Sequence, residues 1–194
     1  MVYVVSSYTQ LPMAWDEWIG ALIESGVDCL QIREPGMTDG RVFELALKAC
    51  RIAAGKMAVL VSRRADIARA AGAAGVHLPS RGLPAAEVRK TFGKEMWIGV
   101  SAHSRLELEG RQAADYALLA PIVLPLSKSS SRRALGMEAL ADAPLPVIAL
   151  GGMTAATAKQ AIAAGASGVA GVTLGLEVNR QIVRQIKGTD ARPH

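Results

Sequence analysis

Aromatic residues and cysteines are scarce in this sequence. Phenylalanine, tryptophan and tyrosine together make up 4% of the 194 residues, and the two cysteines are Cys29 and Cys50. So few aromatic rings disfavour a surface that stacks single-stranded bases. Two cysteines fit neither a disulfide framework nor a cluster of metal-binding thiolates. These shortages direct attention to chemistry carried by other side chains.

Long apolar runs and a targeting segment are also missing. Although 51% of the residues are hydrophobic, no stretch approaches the ~20 consecutive apolar residues that cross a bilayer. The N-terminal segment MVYVVSSYTQ lacks the basic start and the long apolar centre of a secretory signal. We therefore expect a soluble, cytoplasmic protein without a membrane partner.

The charge balance is only moderately positive. Lysine and arginine number 22 against 17 acidic residues, which gives a net charge of +5. The basic residues are scattered along the chain and form no evident stripe, so nucleic acid is not an expected partner. A modest positive balance favours small anionic ligands.

Short β-branched or aliphatic runs recur along the whole chain and alternate with stretches of helical periodicity. Strict alternation of strand and helix predicts an α/β fold with a parallel sheet. Eight such units favour a single (β/α)8 TIM barrel with short loops. An open doubly wound sheet is the alternative, but no G-x-G-x-x-G turn follows the first run. The eight runs are VYVVS, CLQIRE, MAVLVS, GVHLP, WIGVSA, YALLAPIV, PVIALGG and GVAGVTLG.

The length of the chain bounds its organisation. Its 194 residues suffice for one sizeable core, so we expect one barrel domain over residues 1–194. Residues 188–194 are expected to form a disordered tail. The segment LPLSKSSSRRALG, residues 124–136, is predicted to be the one long polar loop, and it follows the sixth strand.

Alternation along the second run sorts its side chains between two faces. Leu30 and Ile32 share one face, which suits packing against helices. Gln31 and Arg33 share the other, and we expect both to point into the barrel near its C-terminal end, where barrel enzymes keep their chemistry. An inward arginine is costly unless it is paired or used. The alternative is that Arg33 pairs with a carboxylate such as Glu34.

Two histidines lie in or beside predicted strands. On the fifth run, the same alternation places Gly99, Ser101 and His103 on the inward face, with His103 at the rim of the barrel mouth. His103 is either a hydrogen-bonding structural residue or a general acid and base, since imidazole can accept and return a proton near neutral pH. His77 has apolar neighbours and is predicted to be structural.

Glycine-containing turns follow the seventh and eighth runs. LGGMT, residues 150–154, places Gly151 and Gly152 where a strand meets a helix, and GVTLG, residues 171–175, places Val172 and Thr173 at the matching position. Many barrels bind phosphate at this place through backbone N–H groups. Glycine allows the main chain to approach an anion closely. The alternative is that both are merely tight turns.

These motifs together resemble the thiamine-phosphate synthase superfamily of (β/α)8 barrels. The resemblance covers about residues 29–176 through LQIRE, LVSRRADIARAAGAAGVHLPS, IGVSAHS, ADYALLAPI, PVIALGGMT and AAGASGVAGV. One branch of the superfamily joins a pyrimidine diphosphate to a thiazole phosphate. The other, the TenI type, contains thiazole tautomerases that aromatise a thiazole carboxylate phosphate by moving a proton.

The departures from the synthase pattern concern its diphosphate and magnesium ligands. The lysine of Q-x-R-x-K is Pro35, and the two magnesium-binding aspartates correspond to Arg63 and Gly82. The diphosphate loop T-x-T-K reads PLSK, so of its ligands Lys128 is retained. Mg²⁺ prefers hard oxygen ligands. These replacements favour the tautomerase branch.

The resemblance implies a role for each candidate residue. His103 lies in an A-H-S segment that aligns with the catalytic histidine of the TenI type, so we expect it to transfer the proton. The expected reaction needs no metal and no cofactor, and the expected partner is a phosphorylated thiazole; a homodimer is left open. Phosphate would be held by Gly151, Gly152, Val172 and Thr173, and the rest of the substrate by Gln31, Arg33, Ser101 and Lys128.

Two other functions fit part of the same pattern. A divergent thiamine-phosphate synthase would join the two phosphorylated rings with a reorganised site. A barrel without catalysis could bind thiazole phosphate or thiamine phosphate as a regulator, since it would keep the phosphate turns and lose the chemistry.

Overall fold

The computed structural model of the chain, which describes residues 1–124, 133–176 and 180–187, is a closed barrel of eight parallel strands. Neighbouring strands in the chain are neighbours in the sheet, and β8 pairs with β1 to close it. The predicted barrel is confirmed. The strands are β1 (Val2–Val5), β2 (Cys29–Ile32), β3 (Ala58–Ser62), β4 (Gly75–Leu78), β5 (Trp97–Ala102), β6 (Tyr116–Leu119), β7 (Val147–Leu150) and β8 (Gly168–Gly171).

Helices surround the sheet and return the chain from one strand to the next. Two 3₁₀ helices, Tyr8–Gln10 and Met137–Leu140, accompany them, and the second lies in the described part of the connection from β6 to β7. The α-helices are α1 (Trp15–Ser25), α2 (Asp39–Ala53), α3 (Ala65–Ala70), α4 (Ala85–Phe92), α5 (Arg105–Glu109), α6 (Ala155–Ala163), α7 (Thr173–Leu176) and α8 (Arg180–Lys187).

Helix ends follow the local sequence signals. Gly26 ends α1 in the left-handed conformation at φ 82°, which glycine adopts without steric cost. At the start of α6, the Thr154 side chain accepts a hydrogen bond from the Thr157 amide, and the Thr157 hydroxyl oxygen accepts one from the Thr154 amide. This reciprocal cap satisfies two amides that the helix itself leaves unpaired.

The apolar core has two layers, separated by the sheet. Leu30 and Ile32 belong to the outer layer between strands and helices, as alternation along β2 predicts. Gln31, between them in the sequence, is 2% exposed and faces the barrel interior. The inner layer contains Tyr3, Val5, Cys29, Leu60, Tyr116, Leu118, Ile148 and Ala170.

Some expectations fall outside the described residues. These are the tail at residues 188–194, Lys128 and most of the polar loop 124–136. In the part of the chain that the structure covers, no helix is long and apolar enough to cross a membrane.

Candidate active site at the barrel mouth

A cavity of about 490 Å³ opens at the C-terminal ends of the strands. Its size is typical of a site for a small molecule, and its position is the one that barrel enzymes use for catalysis. Every strand or the residue directly after it contributes to the wall: Val5, Gln31, Ser62, His77, Ser101, Leu118, Leu150 and Val172.

Gln31 makes two hydrogen bonds at the bottom of this cavity. Its Oε1 accepts a bond of 2.9 Å from the Tyr3 hydroxyl, and its Nε2 donates to the Ser62 hydroxyl. A buried amide has to find such partners, because leaving it unpaired costs about 1–3 kcal/mol. Gln31, which is predicted to contact the substrate, therefore also links β1 and β3 through its side chain.

His77 occupies the cavity wall, although its apolar neighbours predicted only a structural role. Its Nε2 lies 2.9 Å from the Ser101 hydroxyl, and its Nδ1 lies 3.3 Å from the Tyr116 hydroxyl. Burial, followed by the positive charge of Arg33, lowers the pKa of His77 to about 3. The imidazole is therefore neutral at physiological pH.

Gly99 makes room for this arrangement. A Cβ at Gly99 would lie 2.1 Å from Cζ of Tyr116 and 2.7 Å from Nδ1 of His77. Both distances are far below van der Waals contact. The tyrosine ring reaches the imidazole because the facing position on β5 has no side chain.

Arg33 lies at the mouth of the cavity and is exposed. It forms no ion pair with any other described residue. Glu34, which sequence reasoning offered as its partner, instead accepts hydrogen bonds from the Ser6 hydroxyl and the Tyr8 amide. The pairing of Arg33 with Glu34 is therefore wrong, and the guanidinium is available to an anion.

A second arginine at the mouth follows β3. Arg63 is exposed, has a left-handed φ of 68°, and donates its amide hydrogen to the His77 carbonyl at 2.8 Å. No acidic side chain within the described ranges pairs with it. Its neighbour Arg64 differs, because it forms ion pairs with Asp39 and Asp66.

The residues at the two magnesium positions of the synthase pattern do not suit Mg²⁺. Arg63 brings a positive charge, and Gly82 has no side chain, whereas Mg²⁺ is held by oxygen ligands. A Cβ on Gly82 would lie 2.8 Å from Cδ of Pro79, so the turn has little space for a carboxylate. Among the described residues no group of three or more His, Cys, Asp and Glu side chains could hold a metal ion.

The turn after β7 has the backbone that its two glycines predict. Gly151 and Gly152 have φ of 105° and 58°, and a Cβ on either would come within 2.9 Å of Val123 atoms. Neither amide donates a hydrogen bond to another described residue. Across the end of β8, Val172 lines the cavity and Thr173 begins α7. Free amides at glycines can approach an anion closely.

His103 lies beyond the end of β5 and is half-buried. Its Nδ1 lies 2.9 Å from the carbonyl oxygen of Ala120. Its ring is not among the groups that line the cavity. The segment after Ala120 includes Val123, which contacts the glycine turn, so the histidine lies at the rim on the side of the predicted phosphate turn.

The structure thus divides the predicted site residues into groups. Gln31, Arg33, Ser101 and Val172 line one cavity, whereas Lys128 lies outside the described residues. The remaining predicted residues follow within two positions of the ends of strands that line the cavity, and they are His103, Gly151, Gly152 and Thr173. Sequence reasoning missed Tyr3 and Tyr116 and the inward direction of His77.

Comparison with known proteins points to one family. The thiamine monophosphate synthase family matches residues 2–174. A Geobacter sulfurreducens protein, provisionally named a thiamine-phosphate synthase, is 40% identical over 78% of this chain and 74% of its own length. The thiamine-phosphate synthase of Chlorobium limicola is 36% identical over 76% of this chain and 74% of that protein.

A solved structure agrees with the fold. Thiamine phosphate pyrophosphorylase from Pyrococcus furiosus superposes with a TM-score of 0.81 at 23% identity, and the match covers 96% of this chain and 93% of that one. At this level of identity the likeness concerns the barrel architecture.

Proposed function

Because this chain belongs to the thiamine monophosphate synthase family, we propose that it binds a phosphorylated thiazole at the barrel mouth and joins it to a pyrimidine diphosphate. The products are thiamine phosphate and pyrophosphate. The names of the relatives at 40% and 36% identity support this reaction ahead of the tautomerase reaction that the motif departures favoured.

The observation that carries the proposal is the presence of two separate regions suited to anions around one cavity. The free amides of Gly151 and Gly152 follow β7, and the unpaired guanidinium groups of Arg33 and Arg63 follow β2 and β3. In a closed barrel of eight strands, β3 lies opposite β7. One region would hold the thiazole phosphate and the other the diphosphate.

The residues of this chain would contribute by positioning and by charge. As the thiazole nitrogen bonds to the pyrimidine methylene carbon, the bond from that carbon to the diphosphate oxygen breaks. Negative charge grows on the departing diphosphate, and guanidinium groups already in place stabilise it. Arg33 and Arg63 would have this role, assisted by Lys128, while Gln31 and Ser101 would orient the rings.

The test is to mix both phosphorylated substrates with the protein and to measure thiamine phosphate and pyrophosphate. Parallel reactions with Mg²⁺ and with a chelator show whether the reaction needs magnesium although both magnesium-binding aspartates are replaced. Formation of both products in equal amounts supports the proposal. Absence of both products under all conditions, with a folded protein, rejects it.

A thiazole tautomerase is the second candidate, and a specific feature favours it. Arg63 and Gly82 occupy the two magnesium positions, and a single substrate with a carboxylate and a phosphate could use both anion regions without a metal. Gly151, Gly152, Val172 and Thr173 would then anchor the phosphate. His103 would take a proton from one ring carbon and assist its return at another.

Supplying the non-aromatic thiazole tautomer and following its aromatisation distinguishes this candidate from the first. Turnover of the tautomer without turnover of the synthase substrates would establish the second reaction. Binding of thiazole phosphate or thiamine phosphate without turnover of either substrate set would instead indicate a non-catalytic binding protein.

A further inference from the structure

Six polar side chains form one continuous chain of hydrogen bonds through the barrel interior. They come from six different strands, and the four in the middle are buried. The two serines at the ends line the cavity, as do Gln31 and His77. In order of contact they are Ser62, Gln31, Tyr3, Tyr116, His77 and Ser101.

The direction of each bond follows from counting hydrogens. Tyr3 donates its one hydroxyl hydrogen to Oε1 of Gln31, an atom that can only accept. The 3.0 Å bond between the tyrosine hydroxyls must then use the hydrogen of Tyr116. With that hydrogen engaged, the 3.3 Å contact from Tyr116 to His77 requires a hydrogen on Nδ1 of the imidazole.

The same count of hydrogens determines whether each terminal serine of this hydrogen-bonded series presents a hydrogen or a lone pair to the cavity. A neutral imidazole with a hydrogen on Nδ1 has a bare Nε2, which accepts from the Ser101 hydroxyl at 2.9 Å. At the other end, Gln31 donates to the oxygen of Ser62. The hydrogen of Ser62 therefore stays available, and Ser101 presents a lone pair.

We propose that Tyr3 and Tyr116 are positioning residues that, together with Gln31, hold His77 as the Nδ1–H tautomer and so set the polarity of the cavity floor. A ligand group that reaches Ser62 can accept its free hydroxyl hydrogen, whereas one that reaches Ser101 has to donate a hydrogen bond, because the Ser101 hydrogen is already used on His77. Neither tyrosine lines the cavity, so both act through the chain of bonds. The inference goes beyond the proposed function because it applies to any ligand of this cavity.

Nitrogen-15 NMR of the full-length protein with labelled histidine tests the proposal, because protonated and bare ring nitrogens differ in chemical shift. The signals of His77 are assigned by their loss in His77→Gln. We expect the wild-type spectrum to show the neutral Nδ1–H form. In Tyr3→Phe, the Tyr116 hydrogen loses its acceptor and can turn to Nδ1, so the imidazole should change to the Nε2–H form.

A change in the His77 tautomer caused by Tyr3→Phe distinguishes a positioning role of Tyr3 from a contribution to stability alone, because Tyr3 forms no hydrogen bond with the imidazole. Tyr8→Phe is the matched control, since that hydroxyl accepts from Arg41 on the outside of the barrel, and it should leave the tautomer of His77 unchanged. A wild-type Nε2–H form would overturn the proposal without any variant. So would a folded Tyr3→Phe protein that retains the Nδ1–H form, with folding checked by circular dichroism.

Discussion

The carbonyl oxygen of Ala120 lies 2.9 Å from Nδ1 of His103. A carbonyl oxygen can only accept, so Nδ1 carries a hydrogen, and in the neutral form of the ring the lone pair is on Nε2. The Glu107 side chain also holds the backbone of His103, because its Oε2 accepts a hydrogen bond of 3.0 Å from the His103 amide. The ring is thus oriented by its surroundings, as a general base requires.

If His103 transfers the proton, His103→Ala should lower turnover of the non-aromatic thiazole tautomer by about 10²–10⁴-fold, the usual contribution of a general acid or base. The affinity for thiazole phosphate should stay nearly unchanged, because the residue lies outside the predicted phosphate turns. Rates of aromatisation and calorimetric binding measure the two quantities separately.

His103→Asn is the control for positioning. An asparagine amide can still donate to the Ala120 carbonyl but cannot serve as a base near neutral pH. We expect it to be as inactive as the alanine variant. Normal aromatisation by a folded His103→Asn protein would remove this residue from the chemistry.

The glycine turn after β7 can be tested with a matched pair of substitutions. Gly151 and Gly165 have nearly the same positive φ, 105° and 107°, but Gly165 follows α6 and packs near Leu140. Alanine at either position should lower the free energy of unfolding by about 1–3 kcal/mol through backbone strain. Only Gly151→Ala should also weaken binding of thiazole phosphate. Equal affinity in both variants would contradict a phosphate site at this turn.

Hydrophobic alternation made the barrel and much of its interior predictable. Eight apolar runs separated by helical stretches favour a closed barrel over an open doubly wound sheet. Period-two alternation along β2 correctly directs Gln31 inward. The rule stops working where a strand ends. His103 follows the last residue of β5, so alternation no longer determines its direction, and its Nδ1 lies against the Ala120 carbonyl at the rim.

The hydrogen-bond partners inside the barrel were not predictable from any local pattern. Tyr3 and Tyr116 lie in runs that read as apolar strands, and they are 113 residues apart in the chain. His77 faces inward because it is in register with Ser62 on β3 and Gly99 on β5. This register depends on how the strands pair in the closed sheet, so it cannot be predicted from any single segment of the sequence.

Arg33 and Arg63 should bind anions through charge. Replacing either by methionine should weaken binding of inorganic pyrophosphate by about 3- to 10-fold, a modest effect because exposed charges are screened by solvent. The difference should shrink as salt is added. Calorimetric titration at two ionic strengths measures both effects.

Arg41→Met provides the comparison for that experiment. It also removes one positive charge, but this arginine is on α2, where it pairs with Glu44. We expect pyrophosphate affinity to be almost unchanged. If Arg41→Met weakened binding as much as Arg33→Met, the effect would reflect net charge and not a site at the mouth.

The buried imidazole of His77 should make the stability of the protein depend on pH. Its pKa in the folded chain is about 3, whereas an unfolded histidine titrates near about 6.5. Between these values the unfolded chain binds one more proton, so stability is fully present above about pH 6.5 and is lost as the pH falls. The slope should reach about 1.4 kcal/mol per pH unit.

Chemical denaturation at about pH 7 and about pH 5 measures this slope before most carboxylates titrate. His77→Gln should be less stable at both values, because it disturbs the bonds to Ser101 and Tyr116, but its stability should change much less between them. The absolute loss in this variant is uninformative, since any buried substitution can cause it. The difference in slope is specific to protonation, because the slope equals the number of protons that the unfolded chain binds in excess of the folded one. If the stability of both proteins changed equally with pH, His77 would not be the group responsible.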